Sequence, residues 1–199
     1  MKSKIVLIAA LAAGVSACSF FDDRLETQTV DGWKFPGTPA TAKEQGITDC
    51  LKKQVSYVCR TNGPASFLGV PALRALVTIT AEDNFASRMP NKPAPSLEGI
   101  PYDKLSYRGI YFVFADTKLL EKAFEMQGWV MGVTGDKDTP TAYVHEGVQA
   151  EIYLLDKTIS IMPASSAEVD MQLEVHKKRI KDGDLAQAKD ESFSEYMKR

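Results

Sequence analysis

Short runs of alternating apolar and polar residues, each ended by a turn signal, constrain this chain more than any other feature. Across residues 73–80, Leu73, Ala75, Val77 and Ile79 fall on one side of an extended backbone and Arg74, Thr78 and Thr80 on the other. Residues 54–60 read the same way, with Val55, Tyr57 and Cys59 together, and residues 67–70 continue the β pattern. Further strand material lies at 106–114, 129–134, 143–155 (broken at Glu146-Gly147) and 158–162. Thr61-Asn62-Gly63-Pro64, Gly135-Asp136-Lys137-Asp138 and Asp156-Lys157 supply turns.

Helices punctuate these strands. Thr38 as N-cap, Pro39 at the first helical position and Gly46 as the stop predict a short helix. Asp116 or Thr117 caps a second helix running to Gln127, with Leu119, Leu120, Ala123, Phe124 and Met126 as a broad apolar face and Gly128 ending it. Ser165 and Glu168 form a capping box for a third, which runs to about Asp182 with Val169, Leu173, His176 and Ile180 on one stripe. Gly183 stops it, and a polar helix from Asp184 follows. This order predicts an α+β fold, a mainly antiparallel sheet with helices packed on one side. Residues 81–101 hold four of the ten prolines and read as a long irregular loop. The globular part is expected over 33–199, as one domain or as two subdomains split near 81–101. No internal repeat is present.

The first eighteen residues carry a different signal. Lys2 and Lys4 precede an apolar run over 5–15, and Val15-Ser16-Ala17-Cys18 closes it. A run this short cannot span a bilayer, which takes about 20 residues, and reads as a removable leader. The tetrapeptide resembles a bacterial lipobox. The resemblance implies a signal peptide over 1–17, diacylglyceryl attachment to Cys18 with palmitate-type acylation of the new N-terminus, and a tether over 18–32. Ser19, rather than aspartate, after the cysteine implies the outer membrane, facing the periplasm. The lipid would then hold the chain on the membrane; several acyl chains anchor stably where one does not.

Removing a leader with two lysines and no acid leaves 22 basic and 26 acidic residues. That balance argues against nucleic acid, which asks for a basic face. Cys50 and Cys59 remain, and an oxidising compartment makes a disulfide the default pairing, with two buried free thiols as the alternative. Residues nine apart on one straight strand would sit about 30 Å apart. A bridge therefore requires the chain to turn near Lys52-Lys53-Gln54.

Enzyme signatures are weak throughout. Of two histidines, His145 with Glu146 could supply a base, and His176 falls on a helix stripe. Neither sits in a metal-ligand motif, and Gly135-Asp136-Lys137-Asp138 lacks the spaced oxygens of a calcium loop. No cofactor is expected. The segment 100–108 groups Tyr102, Tyr107 and Arg108, residue types enriched at binding hot spots. The expectation is a lipid-anchored envelope protein whose periplasmic domain binds another macromolecule, in assembly, inhibition or exclusion. The alternative is an envelope hydrolase using His145 and Glu146.

Overall fold

The computed structural model describes residues 26–81 and 96–181; Cys18, the leader and the helix expected from Asp184 lie outside them. Over these residues the fold is α+β, built on one eight-stranded antiparallel sheet with three α-helices. Its strands are β3 (Ile47–Lys52), β4 (Tyr57–Thr61), β7 (Arg74–Ile79), β8 (Ile110–Val113), β9 (Val130–Met131), β10 (Thr141–Val144), β11 (Ala150–Leu155) and β12 (Thr158–Pro163). They lie in the order β3-β4-β7-β8-β12-β11-β10-β9. Two hairpins complete the strands, β1 (Gln28–Val30) with β2 (Trp33–Phe35) and β5 (Ala65–Phe67) with β6 (Val70–Ala72).

The loop expected at 81–101 does not divide the sheet, because β7 and β8 on either side of it pair through Ala75↔Phe112 and Leu76↔Tyr111. After β8 the chain crosses to the far edge through α2 (Lys118–Met126). It then returns strand by strand until β12 closes against β8. β1 and the start of its hairpin fall within residues 18–32, the stretch expected as a tether. Asp31 and Gly32 adopt φ of 50° and 81° and turn the chain from β1 into β2, which starts at Trp33.

Alternation decides which face is core. Cys59, Val77, Ala75, Phe112, Ile110, Ile159, Ile161 and Ile152 share one face and are fully buried. Over them lie the two hairpins, α1 (Pro39–Glu44) and α2; Trp33 meets Phe112 edge-on at 5.0 Å and Phe124 of α2 meets Tyr143 at 4.4 Å. Thr38 caps α1 as expected, in a reciprocal pair with Thr41. At α2 Thr117 occupies the N-cap position but its side chain makes no cap bond; the Lys118 amide donates instead to Asp116 Oδ1 at 3.0 Å. Only Leu120 and Phe124 of its expected apolar face are buried, while Leu119 and Met126 are exposed. Nine residues bury one narrow stripe, too narrow for those two positions. Leu73, expected in line with Ala75, is also exposed, because it precedes β7.

The third helix, α3 (Ser166–Lys181), lies on the other side. Val169 and Leu173 pack with Val130, Val144 and Ala164, and Val144 points away from Tyr143 by strand alternation. Its capping box is as expected: Glu168 accepts from the Ser165 amide at 2.7 Å and Ser165 Oγ from the Glu168 amide at 3.3 Å. Its expected stripe holds at Val169, with Leu173 and His176 half-buried, and fails at Ile180. Val169, Gln172 and Arg179 are buried and Ile180 is exposed. The reason is the β9 edge. His176 Nδ1 donates to the Met131 carbonyl at 2.9 Å and Arg179 Nη1 to the Gly132 carbonyl at 2.9 Å. Polar side chains of the helix close a strand edge that would otherwise present bare carbonyls.

Candidate functional site: the open face of the sheet

α3 covers only the β9–β10 end of its face. From β3 to β11, six strands and about 24 Å at ordinary strand spacing, the described residues place no helix or hairpin over it. Register gives its composition. One cross-strand row runs Asp49, Arg60, Leu76, Tyr111, Ser160, Tyr153. Beside it, Leu51 and Val58 pair on β3–β4, and Met162 pairs with Glu151 on β12–β11. On the other side Val113, Thr158 and Leu155 follow Arg74. Leu51 is 59 % exposed and Leu155 38 %; Val58, Leu76, Tyr111, Val113, Tyr153 and Met162 are half-buried. Gly109 makes room here, since a Cβ on it would collide with Met162 Sδ and the Ile161 carbonyl.

Polar groups sit at both ends. Toward α3, the Tyr153 hydroxyl donates to Glu151 Oε2, and Glu151 is buried. Burial, then the hydrogen bond and charge of Glu151, push the Tyr153 hydroxyl up, while the Arg108 charge pulls it down. At the other end, a shallow depression of about 320 Å³ is lined by Asp49, Arg60, Asn62, Leu73 and Arg74 among others. Arg60 Nε donates to Asp49 Oδ2 at 2.6 Å. The β3 edge beside it carries a register shift between Ile47 and Asp49, with Lys52 and Lys53 following. Both devices blunt an edge against strand addition, so the face rather than the edge is the accessible surface. A second depression, beside Trp33, holds polar groups already engaged: Asp31 Oδ2 accepts from the Leu68 amide at 2.6 Å and Gln45 Oε1 from the Lys34 amide at 2.6 Å.

The residues expected from the sequence separate. Cys50 and Cys59 form a disulfide directly across β3–β4, after a turn closed by the Lys53 amide on the Ser56 carbonyl. Tyr102 lies over it, its hydroxyl 3.5 Å from Cys50 Sγ and its ring edge-on to Tyr57 at 4.8 Å. Tyr102 is therefore on the core side of the sheet. Tyr107 is fully buried, which closes it to direct partner contact. Its hydroxyl donates to the Lys34 carbonyl and accepts from Gln45 Nε2, both at 2.7 Å, and burial pushes it up to about 12. Arg108 is exposed and acts electrostatically on Tyr153, on the open face. The grouping of these three in sequence is thus divided by the sheet itself, because 107 and 108 point oppositely.

His145 faces Trp129 at 5.5 Å, and its Nδ1 lies 2.6 Å from the Glu146 carbonyl. Among the described residues no carboxylate pairs with it, and no three His, Cys, Asp or Glu side chains are grouped as a metal site would need. His176 holds the β9 edge. No helix among the described residues is long and apolar enough to cross a membrane. No family model, curated protein or solved structure matches the chain.

Alternation in stretches such as 73–80 marks one apolar face per strand and is silent about the other. The signal for the open face was present in Ile110-Tyr111-Phe112-Val113, where all four residues are apolar or aromatic. Such a run means that both faces of a strand meet apolar surroundings.

Proposed function

We propose that this chain is a lipid-anchored protein of the bacterial outer membrane, facing the periplasm, whose domain binds another protein through the open face of its sheet. Its role is assembly, inhibition or exclusion rather than catalysis. The lipobox-like Val15-Ser16-Ala17-Cys18 supports the anchor. One observation carries the binding reading: half-exposed Leu76, Tyr111, Val113, Tyr153 and Met162, with exposed Leu51 and Leu155, lie on one face that α3 leaves uncovered. Contiguous apolar surface rimmed by polar residues marks interaction sites. Tyrosine, methionine and arginine are the residue types that protein interfaces enrich. Tethering by lipid confines the domain to a layer at the membrane and raises its effective concentration toward partners there.

Two measurements test this. A fatty-acid probe should label the wild-type chain and leave Cys18→Ala unlabelled; a wild-type chain that stays unlabelled and leaves membranes without detergent defeats the anchor. A photo-crosslinking side chain at Tyr111 should give one discrete adduct in intact cells, whereas the same group at exposed Lys122 should give none. Equal or absent adducts at both positions defeat the binding face.

A further inference from the structure

We propose that Arg60 and Arg74 form a socket for a carboxylate, so that the partner segment lying on the open face carries an acidic side chain between apolar ones. This rests on the reading of that face as a binding surface and names what it recognises.

The argument starts from register. Arg60 pairs with Leu76, and Arg74 stands two residues before Leu76 on β7, hence on the same face. Diagonal cross-strand neighbours of this kind have side chains about 7 Å apart at their origins. Two guanidinium groups so placed repel, and only Arg60 has an acid: Asp49 engages its Nε at 2.6 Å. The terminal amino groups of Arg60 have no acceptor among the described residues, and neither has Arg74. These amino groups form the donor fork that fits a carboxylate.

Charge then selects the ligand. Two arginines and Asp49 leave one positive charge, which a single carboxylate balances and a phosphate dianion exceeds. The rim is fixed by bonds that do not involve either guanidinium. Asn62 Nδ2 donates to Thr48 Oγ1 at 3.0 Å, and Thr61 Oγ1 donates to the Gly63 carbonyl at 2.8 Å while accepting from the Ala75 amide at 3.2 Å. Leu73, 53 % exposed, lines the same depression, and Leu76 and Val113 continue from it along the face. An acid flanked by leucine-like side chains therefore meets complementary surface on both counts.

The test uses the full chain in detergent and the blocked peptide acetyl-Leu-Glu-Leu-amide, followed by NMR. The peptide should shift Leu73, Leu76 and Val113, and acetyl-Leu-Gln-Leu-amide should bind at least about fivefold more weakly. Arg74→Ala should remove that difference without changing the melting temperature. Equal binding of the two peptides, binding of neither, or stronger shifts at these residues from inorganic phosphate each overturn the socket. In cells, Arg74→Ala should diminish the Tyr111 crosslink. An undiminished crosslink overturns the socket while leaving the binding face standing, whereas a wild-type chain without any crosslink removes both.

Discussion

Tyr111 and Phe112 are neighbours in one strand and live in different worlds. Phe112 is fully buried and touches Trp33, Phe67 and Phe114. Tyr111 is half-buried on a face that, among the described residues, α3 covers only at the far end. The side with hairpins, α1 and α2 holds the fold together. The opposite side also carries apolar positions, Leu51, Leu76, Tyr111, Val113 and Met162 among them, but among the described residues no helix or hairpin lies across its middle. The difference teaches that apolar pattern fixes where a side chain points, while coverage is decided by which other elements arrive.

The largest expected effect contrasts those two residues. Phe112→Ala should cost about 3–5 kcal/mol in denaturant unfolding, through lost burial and a residual cavity. Tyr111→Ala should cost no more than about 1 kcal/mol, the scale of one cross-strand pair, yet should abolish partner capture. Similar destabilisation by both would mean that the open face is core. Next is the disulfide, which staples β3 to β4 on the core side. Its removal by Cys50→Ser with Cys59→Ala should cost about 2–3 kcal/mol on loop-closure grounds. Hydrogen exchange should quicken in β3 and β4 and stay slow around Ile110 and Ile161.

The smallest effect is a titration. Burial lifts the Tyr107 hydroxyl from 10.0 to about 12. Its folded value lies above its unfolded one, so its contribution to stability is complete below pH 10 and is lost as pH rises from 10.0 toward about 12. Tyr107→Phe should flatten that alkaline decline, read as unfolding free energy against pH. An unchanged slope would remove Tyr107 from the closed side of the comparison.

Much of the fold was legible in local chemistry. Thr38-Pro39, Ser165 with Glu168, and Gly128 at φ 77° mark helix ends through bonds or backbone angles reached within a few residues. The alternation in 73–80 put Ala75, Val77 and Ile79 on one face, and all three are buried. The site was less legible. Tyr102, Tyr107 and Arg108 are close in sequence, but the first lies over the disulfide, the second is inside, and the third faces away. Arg60 with Arg74 announces itself only when β4 and β7 are laid side by side, and Glu151 with Tyr153, two residues apart on β11, only when the hydrogen bond between them is seen.

By itself, then, the sequence determined the α+β class, the antiparallel strand material and the caps at Thr38 and Ser165, and made a bridge between Cys50 and Cys59 the default, because each depends on short-range periodicity, hydrogen bonds or a turn between near neighbours. Only the tertiary structure decided strand order, the placement of α3 across the sheet from α2, and the exposure of Leu76, Tyr111 and Tyr153. Those depend on long-range pairing, and a one-residue alternation within a strand carries no record of what will pack above it.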